Sequence, residues 1–182
     1  MKIVLVRHGE SEANVAERIN DDPARSVNLT DKGRVQAAAA SNSLREMRFT
    51  HAYASEFPRA QQTAAYLLCH HALELNIDAR INERHTGMDG FPVQVFNDLL
   101  RPDPLHIKSG QGESFLDLME RMRGFLDGIA ARHSDGIVLA VSHEHPIVAA
   151  LALNFVDPEP VVRRSIANCE WVELVWPAPV AL

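Results

Sequence analysis

Residues 2–11 read KIVLVRHGES, and this stretch is the starting point for interpreting the chain. Its apolar run at 3–6 is rich in β-branched residues and stops at Arg7, which is typical of a buried strand. Arg7 and His8 therefore follow directly on the end of a predicted strand. Polar residues in this position lie where parallel sheets bind their ligands.

The rest of the chain alternates short apolar runs with longer helical segments. The runs that predict strands are residues 3–6, 51–54, a weak one at 77–80, and 137–142. Apolar and aromatic residues at 171–176 predict a late strand, which can be antiparallel at an edge. This alternation predicts an α/β fold, a three-layer sandwich whose mostly parallel central sheet is flanked by helices.

Capping residues and periodicity predict four helices, at about residues 31–47, 58–70, 114–132 and 146–153. Thr30, Pro58, Ser114 and Pro146 suit helix starts. The third helix is the clearest, because its apolar residues recur at spacings of three and four and so form one face. The residues of that face are Phe115, Leu118, Met122, Phe125 and Ile129.

The length of 182 residues predicts one domain, since domains average about 150 residues. Hydrophobic residues make up 46% of the chain and charged residues 23%, as in ordinary globular proteins. Periodicity fails between residues 82 and 112, a segment with four glycines and three prolines. We therefore expect a single domain over residues 1–182, with an irregular lid or insertion around 82–112.

Composition also narrows the expected partners and compartment. With 24 acidic and 18 basic residues the net charge is −6, which argues against nucleic acid or an anionic membrane as the main partner. The two cysteines, Cys69 and Cys169, are far apart, so neither a disulfide framework nor a cysteine-rich zinc site is expected. The run at 3–6 is too short for a secretion signal or a membrane span, and we expect a cytoplasmic protein.

Polar side chains follow all four of the predicted parallel strands. Arg7 and His8 follow the first strand, Arg59 the second, Glu83 the third and His143 the fourth. The carboxyl ends of parallel strands meet at one edge of the sheet. We therefore expect two arginines, two histidines and a carboxylate to converge there.

This set of side chains suits phosphoryl chemistry. Arginine matches the geometry and charge of phosphate oxygens. A histidine with an unprotonated ring nitrogen can attack phosphorus, and neighbouring arginines disfavour its protonated form. A carboxylic acid can protonate the leaving oxygen, and its anion can then activate water.

Several motifs, in family order, resemble those of the histidine phosphatase superfamily, the phosphoglycerate mutase-like proteins. Arg7-His8-Gly9-Glu10-Ser11 with Asn14 resembles its signature. The other matches are Leu29-Thr30 with Gly33 and Gln36-Ala37; Ser55, Arg59-Ala60 and Thr63-Ala64; Asn82-Glu83-Arg84-His85 with Gly87 and Gly90; Gly112-Glu113-Ser114; and Val141-Ser142-His143. They span nearly the whole chain, so the resemblance is specific.

The resemblance implies a role for each matching residue. His8 would be the nucleophile that becomes phosphohistidine, and Glu83 would be the general acid and then the general base. The residues expected to bind the phosphoryl group are Arg7, Asn14, Arg59 and His143. The resemblance implies a small phosphorylated substrate, no metal and no organic cofactor, and it leaves the oligomeric state open.

Two departures from the family pattern bear on function. Glu144 stands where the family usually has a small residue; its carboxylate would repel a phosphate that it faces, and would be harmless if turned toward Arg84 or solvent. Thr86 replaces a tyrosine of the mutase-like branch, and the double-arginine segment and long insertion of the mutases are missing.

The expected function is thus a metal-independent phosphomonoesterase, with a phosphoglycerate mutase or a catalytically weak phosphate-binding regulator as alternatives. Glu144 is kept as a substrate-binding candidate, and Arg101 and Lys108 as candidates for binding a second anionic group.

A metal site at His143 and His145 is a further alternative. Alternate residues of an extended strand share a face, so two imidazoles can meet one cation. Pro146 interrupts the extension and no third ligand is evident, so this alternative is not favoured.

Overall fold

The computed structural model of the protein describes residues 1–177. Its sheet has the order β3-β2-β4-β1-β5, in which β1, β2, β3 and β4 pair in parallel and β5 is antiparallel to β1. The strands are β1 (Lys2–Arg7), β2 (His51–Ala54), β3 (Leu75–Ile77), β4 (Ile137–Ser142) and β5 (Trp171–Val175). The predicted mostly parallel sheet and its antiparallel edge strand are therefore confirmed.

Helices connect the strands. They are α1 (Glu12–Ala16), α2 (Asp31–Leu44), α3 (Pro58–Leu67), α4 (Val93–Leu100), α5 (Phe115–Arg132), α6 (Glu144–Ala152) and α7 (Glu159–Val162), with 3₁₀ helices at Leu68–His70 and Ala79–Ile81. Within residues 1–177, no helix has the length and apolar character that a bilayer crossing requires.

The helices lie on both faces of the sheet, as the predicted three-layer sandwich requires. Alternate residues of β1 point to opposite faces. Ile3 and Leu5 belong to a core formed with α5 and α6, whereas Val4 and Val6 belong to a core formed with α2 and α3. The sheet is thus buried on both faces, and polar residues follow the carboxyl ends of its strands.

The predicted caps form where the sequence places them. The Thr30 hydroxyl accepts a hydrogen bond from the Gly33 N–H at 3.0 Å at the start of α2. Ser114 and Asp117 form a capping box at the start of α5. The five apolar residues predicted to share one face of this helix are all fully buried.

Four predicted elements are wrong in their bounds. The strand expected at 77–80 ends at Ile77, because the Asp78 side chain accepts the Arg80 N–H and starts a 3₁₀ helix. The helix expected to start at Pro146 starts at Glu144, with Pro146 in its first turn, where a missing N–H is tolerated. The first two predicted helices also end three residues early as α-helices, at Leu44 and Leu67.

The segment 82–112 is not irregular throughout, because it contains α4. Phe96 and Leu100 of this helix are buried one turn apart. Backbone hydrogen bonds also tie the segment to the end of α1: the N–H of Val93 donates to the carbonyl of Glu17 at 3.0 Å, and that of Ile19 to the carbonyl of Phe91 at 2.9 Å.

Candidate active site

The predicted site residues converge at the carboxyl edge of the sheet. Six of them line one cavity of about 140 Å³: Arg7, His8, Asn14, Arg59, Glu83 and Glu144. The seventh, His143, is fully buried behind the cavity wall, with its ring centroid 5.0 Å from that of His8. His8 and His143 come together because β1 and β4 are adjacent and parallel, with Arg7 in register with Ser142.

Close backbone packing holds the loop that carries His8. A Cβ atom on Gly9 would lie 2.5 Å from the carbonyl oxygen of Gly33, and one on Gly33 would lie 2.0 Å from that of Glu10. Only glycine permits this approach of the loop to the start of α2. The N–H of Gly9 also donates to the Thr63 hydroxyl at 3.1 Å, which ties the loop to α3.

His8 is held in the tautomer that a nucleophile needs. Its Nδ1–H donates to the carbonyl of Gly9 at 2.7 Å, so Nε2 carries the lone pair of the ring. That lone pair accepts a hydrogen bond from the Nε–H of Arg59 at 3.1 Å. Burial, followed by the charge of Arg59, lowers the pKa of His8 from 6.5 to about 3, so the imidazole is neutral at physiological pH.

Arg59 is fixed by contacts that the sequence did not reveal. Its guanidinium lies over the Phe57 ring, 4.4 Å from the centroid, and donates to the side-chain and backbone oxygens of Asn20. Burial lowers the pKa of Arg59 to about 10, which leaves it cationic near neutrality. Asn20 is therefore a positioning residue that no motif in the sequence indicated.

His143 presents a buried polar atom without a partner. Its Nε2 lies 2.8 Å from the hydroxyl of Ser55, at the end of β2. Among residues 1–177 the only other partner of that hydroxyl is the N–H of Phe57, which cannot accept a proton; the hydroxyl therefore donates to His143 Nε2, which leaves Nδ1 as a donor. Within residues 1–177 this Nδ1 atom has no hydrogen-bond partner. Burial lowers the pKa of His143 well below its usual range.

Arg7 is shared between the cavity and Glu144. Its Nη1 lies 3.0 Å from the Glu144 carboxylate and also donates to the carbonyl of Ile166. Its Nε is buried and makes no hydrogen bond to any described residue. Glu144 is turned neither toward Arg84 nor toward solvent: its other oxygen accepts from the Ser165 hydroxyl at 2.7 Å and from the N–H of Ile166 at 3.1 Å. The carboxylate thus offsets part of the Arg7 charge.

Glu83 contacts a histidine that the resemblance did not assign. Its Oε1 atom lies 3.2 Å from Nδ1 of His145 and accepts the N–H of Arg84 at 2.8 Å. Burial alone would raise the pKa of Glu83, but His145, His143 and the Arg84 N–H together hold it well below its usual range. These contacts therefore keep Glu83 ionised at neutral pH.

Asn14 has a structural contact as well as a place in the cavity wall. Its side-chain oxygen accepts the backbone N–H of Ser11 at 3.0 Å, which completes a capping box at the start of α1. Asn14 Oδ1 also lies 3.5 Å from the amide nitrogen of Asn168.

The two candidates for a second anionic group do not line this cavity. Lys108 pairs with Asp117 at 2.6 Å, and Arg101 pairs with Asp98. The metal alternative also finds no support in contacts, because His143 bonds to Ser55 whereas His145 bonds to Glu83. Across residues 1–177 no group of three or more His, Cys, Asp or Glu side chains is arranged to hold a metal ion.

Helix α4 supplies cavity residues that the motifs did not indicate. Val93, Phe96 and Asn97 line the cavity opposite the sheet edge. The spacing of Val93, Phe96 and Leu100 is that of a helix face, so a helical signal was present in a segment dominated by its flanking glycines and prolines.

Comparison with known proteins agrees with this geometry. The family model described as "Histidine phosphatase superfamily (branch 1)" matches residues 3–178. Phosphoglycerate mutase-like protein 4 of Arabidopsis thaliana is 32% identical over 78% of this chain, which spans 66% of that protein. Phosphoserine phosphatase 1 of Hydrogenobacter thermophilus is 30% identical over 82% of this chain and 74% of its own length.

Among solved structures, the alpha-ribazole phosphatase of Shigella flexneri superimposes with a TM-score of 0.80. It is 25% identical in sequence, and the superposition covers 95% of this chain and 89% of that one. The same fold and chain order thus occur in proteins named as phosphatases and in proteins named as mutase-like.

Proposed function

The chain belongs to the histidine phosphatase superfamily, and on that premise we propose that it hydrolyses a small phosphate monoester through a phosphohistidine on His8, without a metal ion. The observation that carries the proposal is a pair of buried donor atoms without partners beside a neutral nucleophile. Nε of Arg7 and Nδ1 of His143 make no hydrogen bonds within residues 1–177; Arg7 lines the cavity together with His8, and the His143 ring centroid lies 5.0 Å from that of His8. Buried donors are nearly always satisfied, so a bound oxyanion is the natural partner for both.

The reaction would proceed in two displacements. Nε2 of His8 attacks phosphorus while the bond to the ester oxygen breaks, and Glu83 gives its proton to that oxygen. The Glu83 carboxylate then takes a proton from water as the water attacks the phosphohistidine. Inorganic phosphate leaves, and His8 is regenerated with Glu83 protonated.

To act as an acid, Glu83 needs a proton, and its protein neighbours favour the ionised form. A phosphoryl dianion bound by Arg7, Arg59 and His143 offsets the positive charge near Glu83 and raises the pKa of its carboxyl group. An ester that binds with one proton would therefore leave that proton on Glu83. This coupling predicts a bell-shaped dependence of rate on pH, with an acidic-to-neutral optimum.

Hydrolysis fits the cavity better than phosphoryl reorientation. A mutase must hold and turn an intermediate with two phosphoryl groups, which requires further cations at the reacting site. The cavity measures only about 140 Å³, and of its arginines Arg18 already donates to the carbonyl of Gly90 at 3.0 Å. Neither Arg101 nor Lys108 lines it. Water is the only acceptor that hydrolysis needs.

A phosphate-binding regulator with little turnover is a second candidate, and Glu144 is the observation that favours it. Its carboxylate lies 3.0 Å from Arg7 and lines the cavity. It thereby weakens the attraction between Arg7 and a phosphoryl group. A regulator would gain thermal stability from vanadate or phosphate and hydrolyse no ester.

The test is hydrolysis of p-nitrophenyl phosphate in EDTA by the wild type and by His8→Ala, with His70→Ala as a matched control. His70 is an exposed histidine outside the cavity. We expect activity in the wild type and in the control, and none in His8→Ala. Quenching with alkaline denaturant during turnover should trap a protein-bound phosphate that is stable in base and is released in acid. Undiminished hydrolysis by His8→Ala would overturn the proposal.

A further inference from the structure

A second cavity adjoins the catalytic one and is rich in arginine. We call it the arginine pocket: it measures about 260 Å³, and its polar lining residues are Arg84, Asn97, Arg101, His145 and Arg163. None of its described lining residues is acidic. The pocket therefore gathers three arginine side chains in a chain with a net charge of −6.

Arg84 is a buried cation without a carboxylate partner. Its residue surface is 1% exposed, and its Nε and Nη2 atoms donate only to the carbonyls of Glu113 and Ile107, at 3.0–3.1 Å. Its Nη1 atom donates to no described residue, and no described carboxylate lies within 4.0 Å of the guanidinium. Burial lowers the pKa of Arg84 to about 10, against the opposing charges of the more distant Glu113, Glu83 and Asp117, so the group is still charged at neutral pH. Buried charges are usually paired, and this one faces a cavity in which an anion can pair with it.

The other two arginines are free to turn toward such an anion. Arg101 and Arg163 have side chains 72% and 56% exposed. Their carboxylate partners, Asp98 and Glu159, lie one turn earlier in the chain. Exposed pairs of this kind contribute little, so a ligand can replace them at low cost.

The arginine pocket meets the catalytic cavity beside Glu83, the proposed general acid. Asn97 and His145 line both cavities, and His145 contacts the Glu83 carboxylate. The leaving oxygen must reach Glu83 to be protonated. An alcohol portion whose ester oxygen lies at Glu83 has the arginine pocket as its neighbouring space, beyond His145 and Asn97.

We propose that the arginine pocket binds an anionic group, a carboxylate or a second phosphate, carried by the alcohol portion of the ester. The proposal rests on the proposed phosphatase function and names its substrate class. The group would accept a hydrogen bond from Nη1 of Arg84 and be enclosed by Arg101 and Arg163. Because the second anion is bound outside the catalytic cavity, the substrate keeps the same phosphoryl group at His8 and does not need to reorient.

The test compares esters that differ in that group alone. Glycerol 3-phosphate has a hydroxymethyl group where 3-phosphoglycerate has a carboxylate, and glycerol 1,3-bisphosphate has a second phosphate. We expect kcat/KM of the wild type to be about tenfold to a hundredfold higher for one or both anionic esters, as for a charge-assisted hydrogen bond. Which anionic ester is preferred identifies the group that the pocket takes.

Variants connect the preference to the pocket. Arg84→Gln and the double variant Arg101→Gln/Arg163→Gln should each lower the ratio of anionic to neutral kcat/KM, by about tenfold and a few-fold respectively. The double variant changes only exposed side chains, so it remains informative if Arg84→Gln fails to fold. Arg164→Gln, an exposed neighbour outside the pocket, should keep the wild-type ratio. Equal kcat/KM for all three esters, or a ratio that survives both pocket variants, overturns the inference.

A binding measurement separates this inference from the proposed function. If the wild type hydrolyses neither these esters nor p-nitrophenyl phosphate, the proposed function fails. Calorimetry then tests whether the arginine pocket binds the second anion. Tighter binding of an anionic ester than of glycerol 3-phosphate, lost in the pocket variants, supports the arginine pocket, and equal binding of all three esters refutes it.

Discussion

Acid should destabilise the folded protein through His8, and the size of the effect follows from its burial. An imidazole in the unfolded chain titrates at a pKa of 6.5, whereas burial and Arg59 lower the pKa of folded His8 to about 3. Between these values the unfolded state binds a proton that the folded state does not. Stability contributed by neutral His8 is therefore present above pH 6.5 and is lost as the pH falls toward 3. At pH 5 the loss amounts to about 2 kcal/mol, from 1.5 pH units at about 1.4 kcal/mol each.

Urea unfolding at pH 7.5 and pH 5 measures this loss directly. We expect His8→Gln to lose about 2 kcal/mol less between the two pH values than the wild type does. The comparison uses differences between pH values, so any constant cost of the substitution cancels. Buffers must be free of phosphate and vanadate, because an anion bound only by the folded state would add stability of its own.

The control replaces a histidine outside the core. His70→Gln, at the end of the 3₁₀ helix after α3, should keep the wild-type loss between pH 7.5 and 5. An equal loss in the wild type and in His8→Gln would refute the argument, because it would mean that His8 titrates alike in the folded and unfolded chains. His8 would then be partly protonated near neutrality, and a smaller fraction of the protein would carry the neutral nucleophile.

Three further predictions concern the acid, the departure at Glu144 and the loop that carries the nucleophile. Glu83→Gln should lower kcat/KM by about a hundredfold or more for an alkyl phosphate but much less for p-nitrophenyl phosphate, whose leaving group needs no proton; equal losses would remove Glu83 from the acid role. Glu144→Gln removes a negative charge that lines the cavity, so calorimetry should show inorganic phosphate binding about tenfold more tightly, and unchanged binding would mean that the carboxylate does not oppose the ligand. Gly33→Ala places a Cβ atom 2.0 Å from the carbonyl oxygen of Glu10 and should cost about 2 kcal/mol or more of unfolding free energy, whereas Gly124→Ala, in open space within α5, should add about 0.5–1 kcal/mol. Urea unfolding of the two glycine variants checks both signs, and a stable Gly33→Ala would contradict the close packing.

The sequence predicted the sheet well because its strands are buried on both faces. Runs such as Val4–Val6 consist of consecutive apolar residues without alternating polar ones, which is the pattern of a strand buried on both faces. Each run ends at a polar residue, which marks the end of the strand. β3 is the exception: it is a short edge strand, with a half-buried Leu75 and an exposed Ile77. Its bounds depend on Asp78, whose side chain starts a turn, and strand propensity does not report this competition.

The candidate site was predictable where a side chain follows a strand and unpredictable where it depends on a tertiary partner. Arg7, His8 and His143 fall on the sheet edge through pairing of adjacent strands. Asn20, by contrast, acts through the fold of the loop after α1, which no local pattern encodes. The sequence likewise gave no sign that His145 would contact Glu83, since the two residues are 62 positions apart.

Glu144 shows how a departure from a family pattern acquires its meaning from packing. The sequence left two orientations of the Glu144 carboxylate open: facing the phosphate, or turned away toward Arg84 or solvent. In the structure the carboxylate is bound by other residues and adopts neither of these orientations. Ser165 and Ile166 hold one carboxylate oxygen while Arg7 holds the other, so the charge is fixed beside the cavity instead of rotating away. A negative charge fixed there lowers the affinity for free phosphate, the product of the proposed reaction. It also lowers the affinity for the phosphoryl group of the ester. An ester with a second anion, however, would gain compensating contacts from the arginine pocket that free phosphate cannot make. Glu144 and Arg84 would then act together to favour substrate over product.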